Sequence, residues 1–103
     1  MATTTKRDLV NRISSGTNQT QQQVFETIQM FLDEVTSDLA QGHRVVMRNF
    51  GTFEVRCLKG KVGRNPKNPQ LDIPIPPRAI VKFLPGKEMK ERVAPVLPIL
   101  QEQ

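Results

Sequence analysis

Apolar positions change period twice along the chain, and those changes divide it into elements. Leu9, Val10 and Ile13 fall on one face of a helix. Thr5 and Asp8 precede them with the spacing of a capping box, in which hydroxyl and carboxylate satisfy backbone N–H groups that have no helical partner. Ser14-Ser15-Gly16 is expected to close this helix, because glycine readily takes the left-handed conformation. Thr20 with Gln23 repeats the start signal and opens the strongest periodic segment. Phe25, Ile28, Leu32, Val35 and Leu39 step by three and four residues, and Val24 and Phe31 widen the stripe. Glu26, Asp33, Glu34 and Asp38 occupy the polar face, and Gly42 ends the helix. These seven apolar side chains, worth roughly 1.5–3 kcal/mol each when buried, need more cover than one short helix supplies. Either a sheet packs on them or a second subunit does.

From Arg44 to Leu58 the period is two. Phe53, Val55 and Cys57 point one way, and Thr52, Glu54, Arg56 and Leu58 the other, after a bend at Asn49-Phe50-Gly51 that separates two strands. Ala79, Val81 and Phe83 make a third strand, with Ile80 and Lys82 on its opposite face. Pro85-Gly86-Lys87 then opens a short basic helix over residues 87–93. The last ten residues, APVLPILQEQ, are expected to form a loosely packed extension.

About twenty residues separate the second and third strands, more than most connections inside a compact domain. Leu71, Ile73 and Ile75 alternate, which predicts a strand returning after a turn over residues 63–70. Ten extended residues from Cys57 to Pro66 reach roughly 33 Å, well over the ~13 Å radius of gyration of a 100-residue domain. The hairpin must therefore project from the body as an arm over residues 57–77. Pro74, Pro76 and Pro77 lack donors and belong on an edge strand, where they discourage further strand addition.

Charge sharpens this picture. Residues 56–82 carry seven basic side chains and one acid, a net of +6, whereas the whole chain is +5. Residues 1–55 hold five basic and six acidic side chains, so positive charge is concentrated on the arm and its roots. A pI near 9.9 with that asymmetry points to a polyanionic partner. Length predicts one domain with a modest core, and composition is ordinary for a globular protein. The first thirty residues hold no apolar run of signal-peptide length, and nowhere do eighteen apolar residues occur together, so a soluble, non-secreted protein is expected.

The remaining chemistry is sparse. One cysteine, Cys57, and one histidine, His43, offer neither an internal disulfide nor a zinc cluster. Cys57 reads as a small core residue on the inward face, and Gly60-Lys61 lacks the phosphate-loop pattern. No enzyme activity, cofactor, metal, membrane or small-molecule substrate is expected. Lysines and arginines along an extended ribbon instead suit successive backbone phosphates. At the tip Arg64 and Asn65 reach acceptors in a narrow groove, and Pro66 forms a rigid apolar wedge that unstacks and kinks a duplex. Taken alone, Arg-Asn-Pro is more often a solvated turn; within a long basic arm the wedge reading overtakes it.

Asn49-Phe50-Gly51-Thr52-Phe53-Glu54-Val55-Arg56, Gly63-Arg64-Asn65-Pro66-Lys67 and Phe83-Leu84-Pro85-Gly86-Lys87, in that order, resemble the bacterial histone-like HU/IHF DNA-bending proteins over about residues 5–93. The resemblance implies an α+β fold. Its parts would be two N-terminal helices, a three-stranded antiparallel sheet with a protruding β-arm, and a short C-terminal helix, all in an intertwined dimer. It makes residues 1–93 the DNA-binding domain and 94–103 an extension. Pro66 would intercalate, and Arg56, Lys59, Lys61, Arg64, Asn65, Lys67, Arg78 and Lys82 would face DNA. Lys87, beside a helix N-terminus, and Lys6 would support the flanks. Phe50, Phe53 and Phe83, with Phe31, Leu32 and Val35, would form the dimer core. Four features depart from the family pattern: Leu84 where a basic residue is common, Val62 in the arm, Lys67-Asn68-Pro69-Gln70 in place of a Thr-Gly turn, and an aliphatic tail after Ala94 longer than most members carry.

The function this implies is architectural: binding double-stranded DNA through the minor groove and bending it with little sequence preference, as a nucleoid-associated cytoplasmic protein. The partner subunit is a second copy or a related chain. An IHF-like protein that prefers certain sites through DNA deformability is the alternative within the class. A basic RNA-binding protein is the alternative outside it.

Overall fold

The structure, a computed structural model, describes residues 2–65 and 68–102, and over 61–65 and 68–73 the strands alone. The chain divides into two compact units, Met1–Ser37 and Asp38–Gln103. The architecture is α+β, as the chain's periodicities require.

In the first unit α1 spans Lys6–Thr17, and α2 begins at Gln21 and runs to Ala40. Both predicted capping boxes form. Asp8 N–H donates to Thr5 Oγ1 at 3.3 Å while Thr5 N–H donates to Asp8 Oδ2 at 2.9 Å. The Thr20 and Gln23 pair is equivalent, at 3.1 and 3.0 Å. The end of α1 differs from expectation, since the helix runs through Ser14-Ser15-Gly16 and stops at Asn18, whose φ of 58° supplies the left-handed cap. Ser14 lies on the buried face and donates to the Asn11 carbonyl, and Thr17 donates to the Ile13 carbonyl, so these hydroxyls are satisfied inside the helix. The helices face each other where Lys6 Nζ donates to Gln29 Oε1 at 2.5 Å and stands 4.7 Å from the Phe25 ring centroid.

The second unit begins with the end of α2. Gly42 has φ 83°, its N–H donates to the Leu39 carbonyl, and His43 N–H donates to the Asp38 carbonyl, the hydrogen-bond pair of a Schellman motif. Strand β1 (Val45–Met47) turns at Asn49, φ 69°, into β2 (Gly51–Leu58), which pairs along its whole length with β5 (Arg78–Pro85). The three form one antiparallel sheet in the order β1-β2-β5. A separate two-stranded sheet, β3 (Lys61–Asn65) with β4 (Asn68–Ile75), lies between β2 and β5 in sequence. Helix α3 covers Lys87–Val93, as predicted.

On one face of the three-stranded sheet the Phe83 ring lies 4.8 Å from Phe53 and 5.5 Å from Phe50, both tilted. Such spacing suits the aromatic quadrupole. A Cβ at position 51 would come within 2.6 Å of the Phe83 ring and 2.7 Å of the Leu84 carbonyl, so only glycine lets the ring lie across the start of β2. Gly86 N–H donates to the Phe50 carbonyl at 2.9 Å and ties the bend to the start of α3.

One expectation needs correction, and the expected extension gains a local structure. Cys57 is exposed rather than a core residue, because its cross-strand neighbour at the arm end of the sheet is the small Ala79. The C-terminal extension is helical: a 3-10 turn over Ala94–Val96 leads into α4, Leu97–Gln101. Pro95 and Pro98 sit in first-turn positions, where a missing N–H costs no hydrogen bond, so both prolines are compatible with the helical turns they open.

The capping box carries a pH signature. Hydrogen bonds from the Thr5 backbone and hydroxyl, with a smaller attraction from Arg12, hold the Asp8 carboxyl below its ordinary value of 3.8. A depressed folded-state pKa contributes stability above the unfolded value, which is lost as pH falls through the folded one. The stability difference between wild type and Asp8→Asn, measured by urea denaturation, is expected to favour wild type at neutral pH and to shrink as pH falls below about 4. A difference independent of pH would contradict this account of the helix start.

Candidate nucleic-acid interface

The sheet pairing decides which charges share a face. Cross-strand partners Glu54 and Lys82, Arg56 and Ile80, and Leu58 and Arg78 all lie on the face opposite the phenylalanines. Arg78 and Lys82 are exposed, and the Arg56 side chain is 44% exposed. The structure thus brings together Arg56, Arg78 and Lys82, three of the residues singled out in the sequence, and Lys59 continues their strand as an exposed cation. Val46, Leu58 and Leu84 lie among them, also exposed. Arg56 is partnered rather than free. Its Nε donates to Glu54 Oε1 at 2.5 Å, its Nη2 closes on the same oxygen, and Arg44 Nη2 lies 3.7 Å from Glu54 Oε2. Sequence reading missed Arg44. Its signal was its place at the head of the period-two segment, in step with Glu54.

The strands of this face lead into the arm. β2 passes to β3 through Lys59-Gly60, and β4 returns to β5 through Pro76-Pro77. Lys61 pairs with Ile75, Gly63 with Ile73 and Arg64 with Asp72. The register then shifts, and Asn65 pairs with Asn68, leaving Pro69, Gln70 and Leu71 between the last two pairs. Strand pairing therefore enters the stretch expected as a turn over 63–70. Backbone pairing fixes Lys61, Arg64 and Asn65 on β3; Pro66 and Lys67 lie outside the described residues.

The flanking candidates are placed differently. Lys6 is held by Gln29 and Phe25 in the first unit. Lys87 is nearly fully exposed, 4.0 Å from Glu91 one helical turn on. Of the residues expected in a dimer core, Phe50, Phe53 and Phe83 cluster, Val35 is half-buried, and Phe31 and Leu32 are exposed. Two hollows flank α3. One, of about 550 Å³, is lined by Arg48, Asn49, Phe50, Met89, Arg92 and Val93 among others; the second, of about 380 Å³, has Phe83, Pro85, Met89 and Val93 in its wall. Among the described residues no group of three His, Cys, Asp or Glu side chains is placed to hold a metal ion, and no helix is long and apolar enough to cross a membrane.

Two helices, a three-stranded sheet with one cationic face, a two-stranded extension and a short closing helix define a class of small basic α+β proteins. Comparison with known proteins places the chain within that class. Residues 4–94 match the family described as bacterial DNA-binding protein. A probable DNA-binding protein HU of Chlamydia trachomatis is 47% identical over 93 residues, covering 90% of this chain and 93% of that one. Integration host factor subunit alpha of Marinobacter nauticus is 34% identical over 93 residues, covering 90% and 92%. Among solved structures, an Anabaena HU cocrystallised with DNA superposes with a TM-score of 0.80 at 30% identity, over 89% of this chain and 99% of that chain. HU from Thermotoga maritima gives 0.63 at 26% identity, over 87% and 98%. The chain belongs to the HU/IHF family of bacterial DNA-binding proteins.

The root of the arm is tightly built. A Cβ at position 60 would lie 2.8 Å from the Ile75 carbonyl and 3.1 Å from Pro77 Cδ, so the two connections pack closely where the arm leaves the sheet. Gly60→Ala is expected to shift backbone amide resonances of residues 58–61 and 75–79 and to lower the melting temperature by about 4–8 °C, as for roughly 1 kcal/mol lost where the backbone must give way. Shifts spread over α1 and α2 instead would contradict a local constraint.

Proposed function

We propose that this protein is a non-enzymatic architectural protein that binds double-stranded DNA through the minor groove and bends it, with low sequence specificity. The observation that carries the reading is a sheet face bearing three exposed cations whose strands run on into a segment of basic sequence. Arg56, Arg78 and Lys82 share a sheet face, and the strands of that face lead into the arm, whose sequence supplies Lys59, Lys61, Arg64, Asn65, Pro66 and Lys67. Cations at that spacing meet successive phosphates and release counterions. The arm lies in the groove with Asn65 and Arg64 against base-edge acceptors, and Pro66 enters a base step as the wedge that kinks the duplex. Lys6 and Lys87 support the flanking DNA. The Anabaena relative crystallised with DNA supports the partner class.

The working unit is a dimer of two copies, or of this chain with a related subunit, with the two chains intertwined. Phe31, Leu32 and Val35 of α2 and the Phe50, Phe53 and Phe83 cluster form its shared core. Exposed Phe25, Phe31 and Leu32 on α2 and the hollows beside α3 support this, because a small domain has little apolar burial to forgo. The domain is residues 1–93 with an arm over about 57–77, and 94–103 is an extension. No cofactor or small-molecule substrate enters the activity, and the protein acts in the cytoplasm on the nucleoid.

Relatives named as integration host factor alpha support a second reading, in which certain sites are preferred through DNA deformability. Competition between a pre-bent site and random duplex separates the two: equal affinity favours the low-specificity reading.

Fluorescence transfer across a short labelled duplex tests the mechanism. Wild type is expected to bend the duplex with a log–log salt slope of about −5 to −9, as for neutralising roughly 6–10 phosphates. Pro66→Ala is expected to keep most of the affinity and lose much of the bend. An unchanged bend removes the wedge, and a clear preference for A-form RNA overturns the function.

A further inference from the structure

On the outward sheet face the central strand carries an acid between cations. Val45 pairs with Phe53 and Glu54 with Lys82, so Arg44, one residue ahead of β1, falls beside Glu54 from one side and Lys82 from the other. Arg56 stands two residues along β2 on the same face. The Glu54 side chain is 15% exposed, against 44% for Arg56 and 67% for Arg44. One oxygen takes both donors of Arg56 and the other faces Arg44. The acid is therefore sunk into the sheet surface with two more exposed guanidinium groups drawn onto it.

We infer that Glu54 is an internal competitor for DNA phosphate and that Arg44 is a phosphate contact alongside Arg56. The inference deepens the proposed function and rests on it. A carboxylate on a surface that receives a polyanion does two things. It cancels part of the field that attracts the duplex, and it occupies guanidinium donors that phosphate needs. Arginine has five N–H donors, so Arg56 keeps others free while two engage Glu54. Both guanidinium groups stand well in solvent, so they can swing from the carboxylate to a phosphate without leaving the surface. When Arg44 and Arg56 turn to phosphate, Glu54 is left needing a cation, supplied by Lys82 or by solution. Each chain then releases about one fewer net counterion than its cations alone would. The result is a protein that holds DNA less tightly than its charge permits and exchanges more readily.

Fluorescence anisotropy on a duplex over a salt series tests this with the full chain. Glu54→Gln keeps the shape of the side chain and removes the charge. It is expected to tighten binding about threefold or more near 0.1 M salt and to steepen the log–log slope by about one per chain. Arg44→Gln is expected to weaken binding and make the slope shallower by about one per chain. In the double variant the gain from Glu54→Gln should be largely lost. Equal or weaker binding by Glu54→Gln, at unchanged slope, overturns the competitor role; an Arg44→Gln variant that binds as wild type overturns the assignment of Arg44. Should Glu54→Gln fail to show the wild-type thermal transition, Arg44→Gln alone decides. Wild type that does not bind duplex at all refutes the proposed function itself, whereas wild type that binds with an insensitive Glu54 refutes this inference alone.

Discussion

Of the apolar side chains on the described residues, Val10 and Val24 are buried within the single chain, whereas Phe25, Phe31, Leu32 and Phe50 stand more than 40% in solvent. Burial of apolar surface is the dominant favourable term in folding, and a chain this short has few other sources of stability: no disulfide and, among the described residues, no metal cluster. The aromatic cluster on the sheet, the stripe on α2 and the hollows beside α3 are all surfaces that a second chain would cover. Under the proposed dimer they become one shared core, and the cationic faces of two sheets become the halves of one DNA-binding surface.

The same two-residue period that gathers the phenylalanines on one face creates the cationic face on the other. Phe53 and Val55 turn inward, so Glu54 and Arg56 must turn outward, and pairing with β5 adds Lys82 and Arg78 beside them. A one-residue slip would exchange the two faces and send the charges into the apolar side. Gly51 guards against it locally, since a side chain there would collide with Phe83. Packing and charge display are thus one constraint seen from two sides of a sheet, and Glu54 moderates the outcome on the outer side.

Much of this was legible in the residues. Both capping boxes, the helix stripe, the two strand faces, the arm and α3 follow from period and from cap chemistry, which act over a few residues. What escaped turns on which of two neighbouring residues takes a role, and on how far along an element its neighbours reach. The end of α1 was misread because Asn18, which also adopts the left-handed conformation, caps the helix two residues past Gly16. Helicity after Ala94 was missed because proline stops a helix or starts one according to position alone. Cys57 was read as buried because a strand face has no label for how far along it the core extends. At the site, Arg56, Arg78 and Lys82 were found by charge density, but Arg44 and the carboxylate linking it to Arg56 required the register between strands.

The central claim is that the exposed apolar surface of this chain belongs to a shared core. Sedimentation equilibrium combined with thermal unfolding over a hundredfold range of protein concentration tests it most directly. The account predicts a particle of twice the 11.7 kDa chain mass at micromolar concentration, with a melting temperature that rises with concentration because folding and association are linked. A particle of single-chain mass whose melting temperature does not depend on concentration would contradict it.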